Sequence, residues 1–307
     1  MIFAGLLADL GAVFSVGVVA SGIRLAVPTA LAAIGEAVSQ RAGVFNLGLE
    51  GMMMVGAFAG FAVMSSTGSA ALGLAVGALA GAALAFLMVL GHVMNGTNMI
   101  VTGFSLVLLG QGLGNFMYAE HQDRLQPFAP LGETDLGPLR DIPLLGSTVF
   151  HQNLVFPLML GLALVVSVLL ARTRFGLEVD ASGSDPRAAV AKGVSIRRTR
   201  TIAVLTAGLF AGVGGAAITV GSVGNFGSNI TAGRGFVAIS LVAIARNRIG
   251  WVLVAAFLFG TLEAVQARLQ DVRGIPVEFL PALPWIAVVL ALVVLAVTRT
   301  ARLRSAR

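Results

Sequence analysis

The sequence predicts an all-α fold, a polytopic transmembrane helical bundle of about nine spans, with eight to ten allowed by span length. Three observations predict it. Hydrophobic residues make up 57% of the 307 residues and charged residues only 11%, where a soluble chain carries roughly 25% charged. Mean hydropathy is +0.94, so most of the surface must face lipid or other helices. The 39 glycines suit helices that pack backbone to backbone in a membrane. The whole chain, 1–307, reads as one transmembrane domain.

The apolar stretches are taken in chain order. Residues 1–11 are expected along the membrane interface, and no basic residue precedes Arg24, so the start lacks the basic n-region of a signal peptide. A first span runs from about Ala12 to Gly35. Others follow near 46–64, 70–91, 98–118, 152–171, 201–222, 233–245, 251–268 and 281–298. Two connections are long. Loop 119–150 holds five acids against two arginines, whereas 172–200 holds seven bases against three acids. Under the positive-inside rule the first loop is extracellular and the second cytoplasmic. The tail, with Arg299, Arg302, Arg304 and Arg307, is then cytoplasmic as well. A faint internal repeat relates Pro28–Leu49 to Gly235–Phe257, each two apolar limbs around a basic turn.

Composition also excludes chemistry. There is no cysteine, and the three histidines, His92, His121 and His151, are scattered, which removes thiolate metal sites and cysteine nucleophiles. The net charge of +6 sets membrane topology and does not indicate nucleic acid. Lys192, the single lysine, lies outside any GxxxxGK[ST] loop, so the chain has no Walker A site for ATP.

Polar residues inside apolar stretches are the candidate functional groups. The run 35–51 brings Glu36, Ser39, Gln40, Arg41, Asn46 and Glu50 together with four glycines. Glycines flanking Leu49-Glu50 invite a broken helix, which membranes tolerate only where protein or a water-filled cavity surrounds it. A carboxylate in lipid costs at least ~2.5 kcal/mol, so Glu50 is expected to face the interior or a pathway. The plainer alternative places Glu36 and Glu50 near the headgroups, paired with Arg41. A second cluster, 224–236, offers Asn225, Asn229, Thr231 and Arg234 at an outward vestibule, or an ordinary glycine-rich turn with Arg234 snorkelling. Glu263 and Gln266 share a helix face suited equally to a pore or to packing, while Asn95 and Asn98 read as packing or capping groups. In the basic loop Asp185 is a good N-cap, Pro186 suits the first helical position and Gly193 is placed to stop the helix. The result is about two turns, roughly 10 Å, a rigid handle for a partner.

Together these segments resemble the permease subunits of bacterial ABC importers in the branched-chain amino acid, simple sugar and nucleoside superfamily, nearest the nucleoside type. The resemblance extends from about residue 25 to 298. It rests on Gly35–Gly51, on Thr231–Ile239, and on Gly183–Gly193, which is similar to a coupling-helix pattern usually written Gly-x-Asn-Pro-x-Ala-Ala. Asp185 departs from the usual asparagine but keeps the cap. Arg246-Asn247-Arg248 departs from a usual Gly-Arg-Trp-Asn-Pro-type turn, which alters either an ATPase contact or a membrane-surface contact. The resemblance implies a subunit that is not an enzyme and binds no cofactor. ATP and Mg would sit on a cytoplasmic ABC ATPase that grips Asp185, Pro186, Ala188, Ala189, Val190, Gly193 and Val194. A second permease, related or identical, and an extracytoplasmic substrate-binding lipoprotein complete the expected partners in a bacterial inner membrane. Asn46, Glu50, Asn229 and Arg234 are the candidate pathway residues. Branched-chain amino acids or simple sugars are the alternative cargo. The rival mechanism is an ion-coupled secondary transporter using Glu36, Glu50 or Glu263.

Overall fold

A computed structural model describes residues 16–132, 134–135, 151–270 and 279–305. The expected interfacial segment 1–11 and half of the acidic loop 119–150, residues 133 and 136–150, lie outside the described residues. Helices run α1 (Val16–Arg41), α2 (Leu49–Thr67), α3 (Ala70–Met88), α4 (Met99–His121), α5 (Val155–Arg172), α6 (Arg174–Ser184), α7 (Pro186–Ala191), α8 (Ile196–Ile218), α9 (Arg234–Ile244), α10 (Ile249–Leu269) and α11 (Leu283–Ser305). α3 and α8 each continue through a π-helical turn, Val89–Met94 and Thr219–Val223. Thr134 and Asp135 pair antiparallel with Gln152 and His151 in a two-residue ladder, β1 and β2.

Each of the nine expected segments falls on a helix, and the bundle is polytopic as predicted. Seven helical stretches are long and apolar enough to cross a membrane, while α9 and the apolar stretch Leu280–Val294 are shorter. α9 lies within a residue of the expected 233–245 at each end and is too short for a full span. Its 11 residues span about 16 Å, near half of a hydrocarbon core of about 30 Å. It is preceded by the non-helical run 224–233, whose turns use left-handed backbone at Gly224, Asn229, Ala232 and Gly233.

α1 and α8 form the centre: α8 packs on α1, α2 and α3, and α10 lies along α1. Buried side chains fill 67% of the apolar stretch of α1 and 61% of those of α2 and α8, against 28% in α4. α4 instead presents Ile100, Val101, Phe104, Leu108 and Phe116 outward, as a lipid-facing helix must. Close packing in the centre depends on small residues. A Cβ on Gly56 would meet Gly212 Cα at 2.5 Å, and one on Gly77 would meet Ala216 Cβ at 2.6 Å, so α2, α3 and α8 approach at backbone distance.

Polar contacts separate the two ends. At one, Arg41 Nε donates to Asn247 O (3.0 Å) and its guanidinium lies 3.7 Å from Asp180, while Arg200 Nε donates to Ala42 O and Arg197 Nη2 to Met94 O. This basic end gathers the turn after α1, helices α6 and α7, and the Arg246–Arg248 turn. Segments 28–49 and 235–257 thus lie side by side, tied turn to turn by Arg41. Arg246 (φ 52) and Asn247 (φ 58) are left-handed there, a conformation costing a non-glycine roughly 1 kcal/mol or more. At the opposite end Ser65 Oγ donates to Gln126 O, Phe128 N to Gly224 O, and Asn153 Nδ2 to Gly221 O. Tyr118 joins Phe58, Phe61 and Phe226 in an aromatic cluster near that end.

Candidate functional site

The site is built where two interrupted crossings meet. α1 stops at Arg41, residues 42–48 are non-helical, and α2 begins only at Leu49. Gly43 (φ 83) makes the reversal, and Ser39 Oγ donates to Val44 O at 2.8 Å. The chain then folds back beside α1: Asn46 N donates to Glu36 Oε1 (3.1 Å), and Gln40 Nε2 donates to the same oxygen (3.1 Å). Asn46 Oδ1 accepts from Gly48 N, and its Nδ2 points to Met52 Sδ. Asn46 and Glu36 are fully buried. The break expected around Leu49-Glu50 therefore lies just before it. Glu36 pairs with Gln40 and the Asn46 backbone, and Glu50 with residues of the second cluster; Arg41 pairs with Asp180 instead.

Glu50 meets the second interruption. Its Oε1 accepts from Thr231 Oγ1 (2.6 Å) and Gly233 N (2.9 Å), and its Oε2 accepts from Gly235 N (2.7 Å). The first N–H groups of a helix lack partners within it and carry the positive end of its dipole. Glu50, itself in the first turn of α2, supplies the negative charge and both acceptors to the start of α9. A half-length helix whose first turn is buried at Gly235 needs such a group, because its N–H groups there have no partner within the helix. The approach requires glycine: a Cβ on Gly235 would lie 2.5 Å from Glu50 N and 2.6 Å from its Cα. Trp285 lies over Gly233.

We expect Gly235→Ala to destabilise the chain by about 1–3 kcal/mol through overpacking. Thermal unfolding of the detergent-purified chain measures it, with Gly250→Ala, which has open space around it, as the control. Equal midpoints for both variants would contradict this account of the contact.

Arg234, the first residue of α9, donates through Nη2 to Glu263 Oε1 of α10 at 3.0 Å, and both side chains are mostly buried. Arg234 Nε and Glu263 Oε2 are buried without a hydrogen-bond partner among the described residues. Asn229 is exposed in the preceding loop. The structure thus brings Glu50, Thr231 and Arg234 around one helix start, adds Glu263 beside them, and places Asn46 apart, on Glu36. Sequence reasoning missed Gln152 and Asn153, both buried, where Gln152 Nε2 donates to Ala20 O. Their signal was slight, two polar residues just before an apolar run.

At the basic end, α7 has the expected form. Asp185 Oδ1 accepts from Arg187 N and Ala188 N, both at 3.1 Å, and Pro186 takes the first position. Gly193 (φ 83) ends it, with Gly193 N donating to Val190 O and Val194 N to Ala189 O. Ala189 is buried under it, and Val190 is 60% exposed. A cleft of about 370 Å³ opens between α6 and α7, lined by Leu177, Ala181, Asp185, Ala188, Lys192 and Val194.

Residues 18–298 match the model of the branched-chain amino acid transport system, permease component, family. A Haloferax volcanii protein provisionally named a glucose ABC transporter permease is 37% identical over 84% of this chain and 79% of its own. A nucleoside ABC transporter permease of Lactococcus lactis is 31% identical, covering 90% of each chain. A guanosine ABC transporter permease of Bacillus subtilis is 29% identical over 90% of each. No solved structure matches.

Proposed function

The chain belongs to the permease-component family of branched-chain amino acid transport systems, and from that premise we propose that it is the membrane subunit of an ATP-driven nucleoside importer in a bacterial inner membrane. The observation that carries the cargo is coverage: the nucleoside and guanosine permeases align over 90% of both chains. The glucose relative's higher identity favours simple sugars as the second reading. Both cargoes present ring hydroxyls that donate and accept together. Among the described residues Arg234 Nε and Glu263 Oε2 are a buried donor and a buried acceptor without a partner, which suits such a hydroxyl.

In this reading Arg234 and Asn229 touch cargo. Asn46 and Glu50 shape the pathway by fixing the two chain breaks. The charge pattern supports a cytoplasmic basic end, so α7, with Asp185, Pro186, Ala188, Ala189, Val190, Gly193 and Val194, faces the ATPase. A partner ATPase supplies ATP and Mg, a second permease copy or relative completes the pathway, and a substrate-binding lipoprotein delivers cargo. Binding at either face biases one inward–outward equilibrium, and by linkage each partner alters the other's affinity.

The test is uptake by vesicles holding this chain with the products of adjacent genes, using labelled nucleosides, glucose and leucine. ATP-dependent uptake of nucleosides competed by other nucleosides supports the proposal. Uptake of sugar alone moves the chain to the second reading. Uptake by the single chain driven by an ion gradient would overturn both.

A further inference from the structure

The Arg246-Asn247-Arg248 turn lies at the mouth of a groove that the transport reading does not use. Arg246 and Arg248 are exposed and make no ion pair or hydrogen bond through their side chains among the described residues. The turn is held in its left-handed form by Asn247 N donating to Val242 O, Arg248 N donating to Ala245 O, and Arg41 Nε capping Asn247 O. An arginine kept at positive φ by three such contacts is held where it stands, and outliers of this kind cluster at ligand sites.

A cavity of about 400 Å³ starts at these two arginines and runs past Trp251 and Val254. A second, of about 200 Å³, continues between α9, α10 and α11 to Phe259 and Leu262. The two share Ile244, Ala255 and Leu258, so they form one groove, cationic at its mouth and apolar along its length. Trp251 is 60% exposed in the first turn of α10, where an aromatic ring marks the headgroup level. From Trp251 to Leu262 the helix rises about 16 Å, close to the depth of one leaflet of a hydrocarbon core about 30 Å thick.

We infer that this groove binds one anionic phospholipid, its phosphate on Arg246 and Arg248 and an acyl chain along α10 as far as Leu262. Charge complementarity selects the occupant: a protein partner's apolar face would leave two arginines unanswered, whereas an acidic headgroup answers both. A zwitterionic lipid fits the groove but offers the arginine pair no net negative charge.

Trp251 and Trp285 are the chain's two tryptophans, so Trp285→Phe leaves Trp251 as a single reporter beside the groove. The full-length variant is placed in phosphatidylcholine vesicles, and brominated phosphatidylglycerol or brominated phosphatidylcholine is titrated in. Brominated phosphatidylglycerol is expected to quench at a much lower mole fraction. Replacing both arginines by alanine should weaken that preference on the order of 30-fold, at about 1 kcal/mol for each arginine near an anionic surface. Arg246→Lys with Arg248→Lys should keep most of it, and Ala255→Phe, which fills the shared stretch, should lower quenching with the arginines intact. Equal quenching by the two lipids would overturn the site. So would unchanged quenching in Ala255→Phe, or cross-linking of a second protein chain through a cysteine placed at Trp251. None of these outcomes bears on which cargo is transported.

Discussion

Glu50→Gln is expected to abolish transport and to lower stability by about 2–4 kcal/mol, although it changes one atom. Glu50 Oε1 receives two donors and Oε2 receives one. Glutamine can keep its carbonyl on Thr231 and Gly233, but its amide nitrogen then faces Gly235 N–H, donor against donor at 2.7 Å. The start of α9 loses its charge, and a buried N–H is left unsatisfied. A hydrogen bond to a charged group contributes about 1.5–3 kcal/mol, and an orphaned buried donor costs about 1–3 kcal/mol more. Glu50→Asp separates charge from reach, since it restores the negative charge but shortens the side chain by one methylene. Thermal unfolding and uptake together test the assignment. A glutamine variant as stable and active as the parent would remove Glu50 from its role of anchoring α9. If Glu50 instead contacted cargo alone, the glutamine variant would lose affinity and keep its stability.

The depth of that anchoring explains what could and could not be read from the sequence. Apolar run lengths located every long helix, because a membrane helix is set by local composition over about 20 residues. Asp185, Pro186 and Gly193 placed α7 by rules that act within one or two turns. The break after Arg41 was legible from glycine content, to within a few residues. The partner of Glu50 was not, because Thr231 and Gly235 lie 181 and 185 residues away and no local rule links them. The limits of α9 were legible to within a residue, as an apolar run between a polar glycine-rich cluster and the Arg246–Arg248 turn. What no local pattern showed is that Glu50 caps its first turn. The Arg234–Glu263 pair was missed for a similar reason. Each residue stood out by itself as a charge in an apolar stretch, and the pairing needed the packing of α9 on α10.

Val190→Asp is expected to reduce ATP-driven uptake at least tenfold while leaving insertion and stability unchanged. Val190 is 60% exposed on α7, so a charge there meets water in the isolated chain and adds little strain. In the proposed complex the same position lies against an ATPase, where an unpaired buried charge is strongly unfavourable. Loss of one interface of the kind carried by a few central side chains costs about 2 kcal/mol or more, which is the basis of the tenfold figure. Asp185 supplies the internal control. Asp185→Asn keeps the acceptor that receives Arg187 N and Ala188 N and should behave as the parent. Asp185→Ala removes it, destabilising the helix end by about 1 kcal/mol, and should uncouple partially. The ratio of ATP hydrolysed to nucleoside imported in reconstituted vesicles distinguishes these cases. Parental coupling in Val190→Asp would take the ATPase contact away from α7.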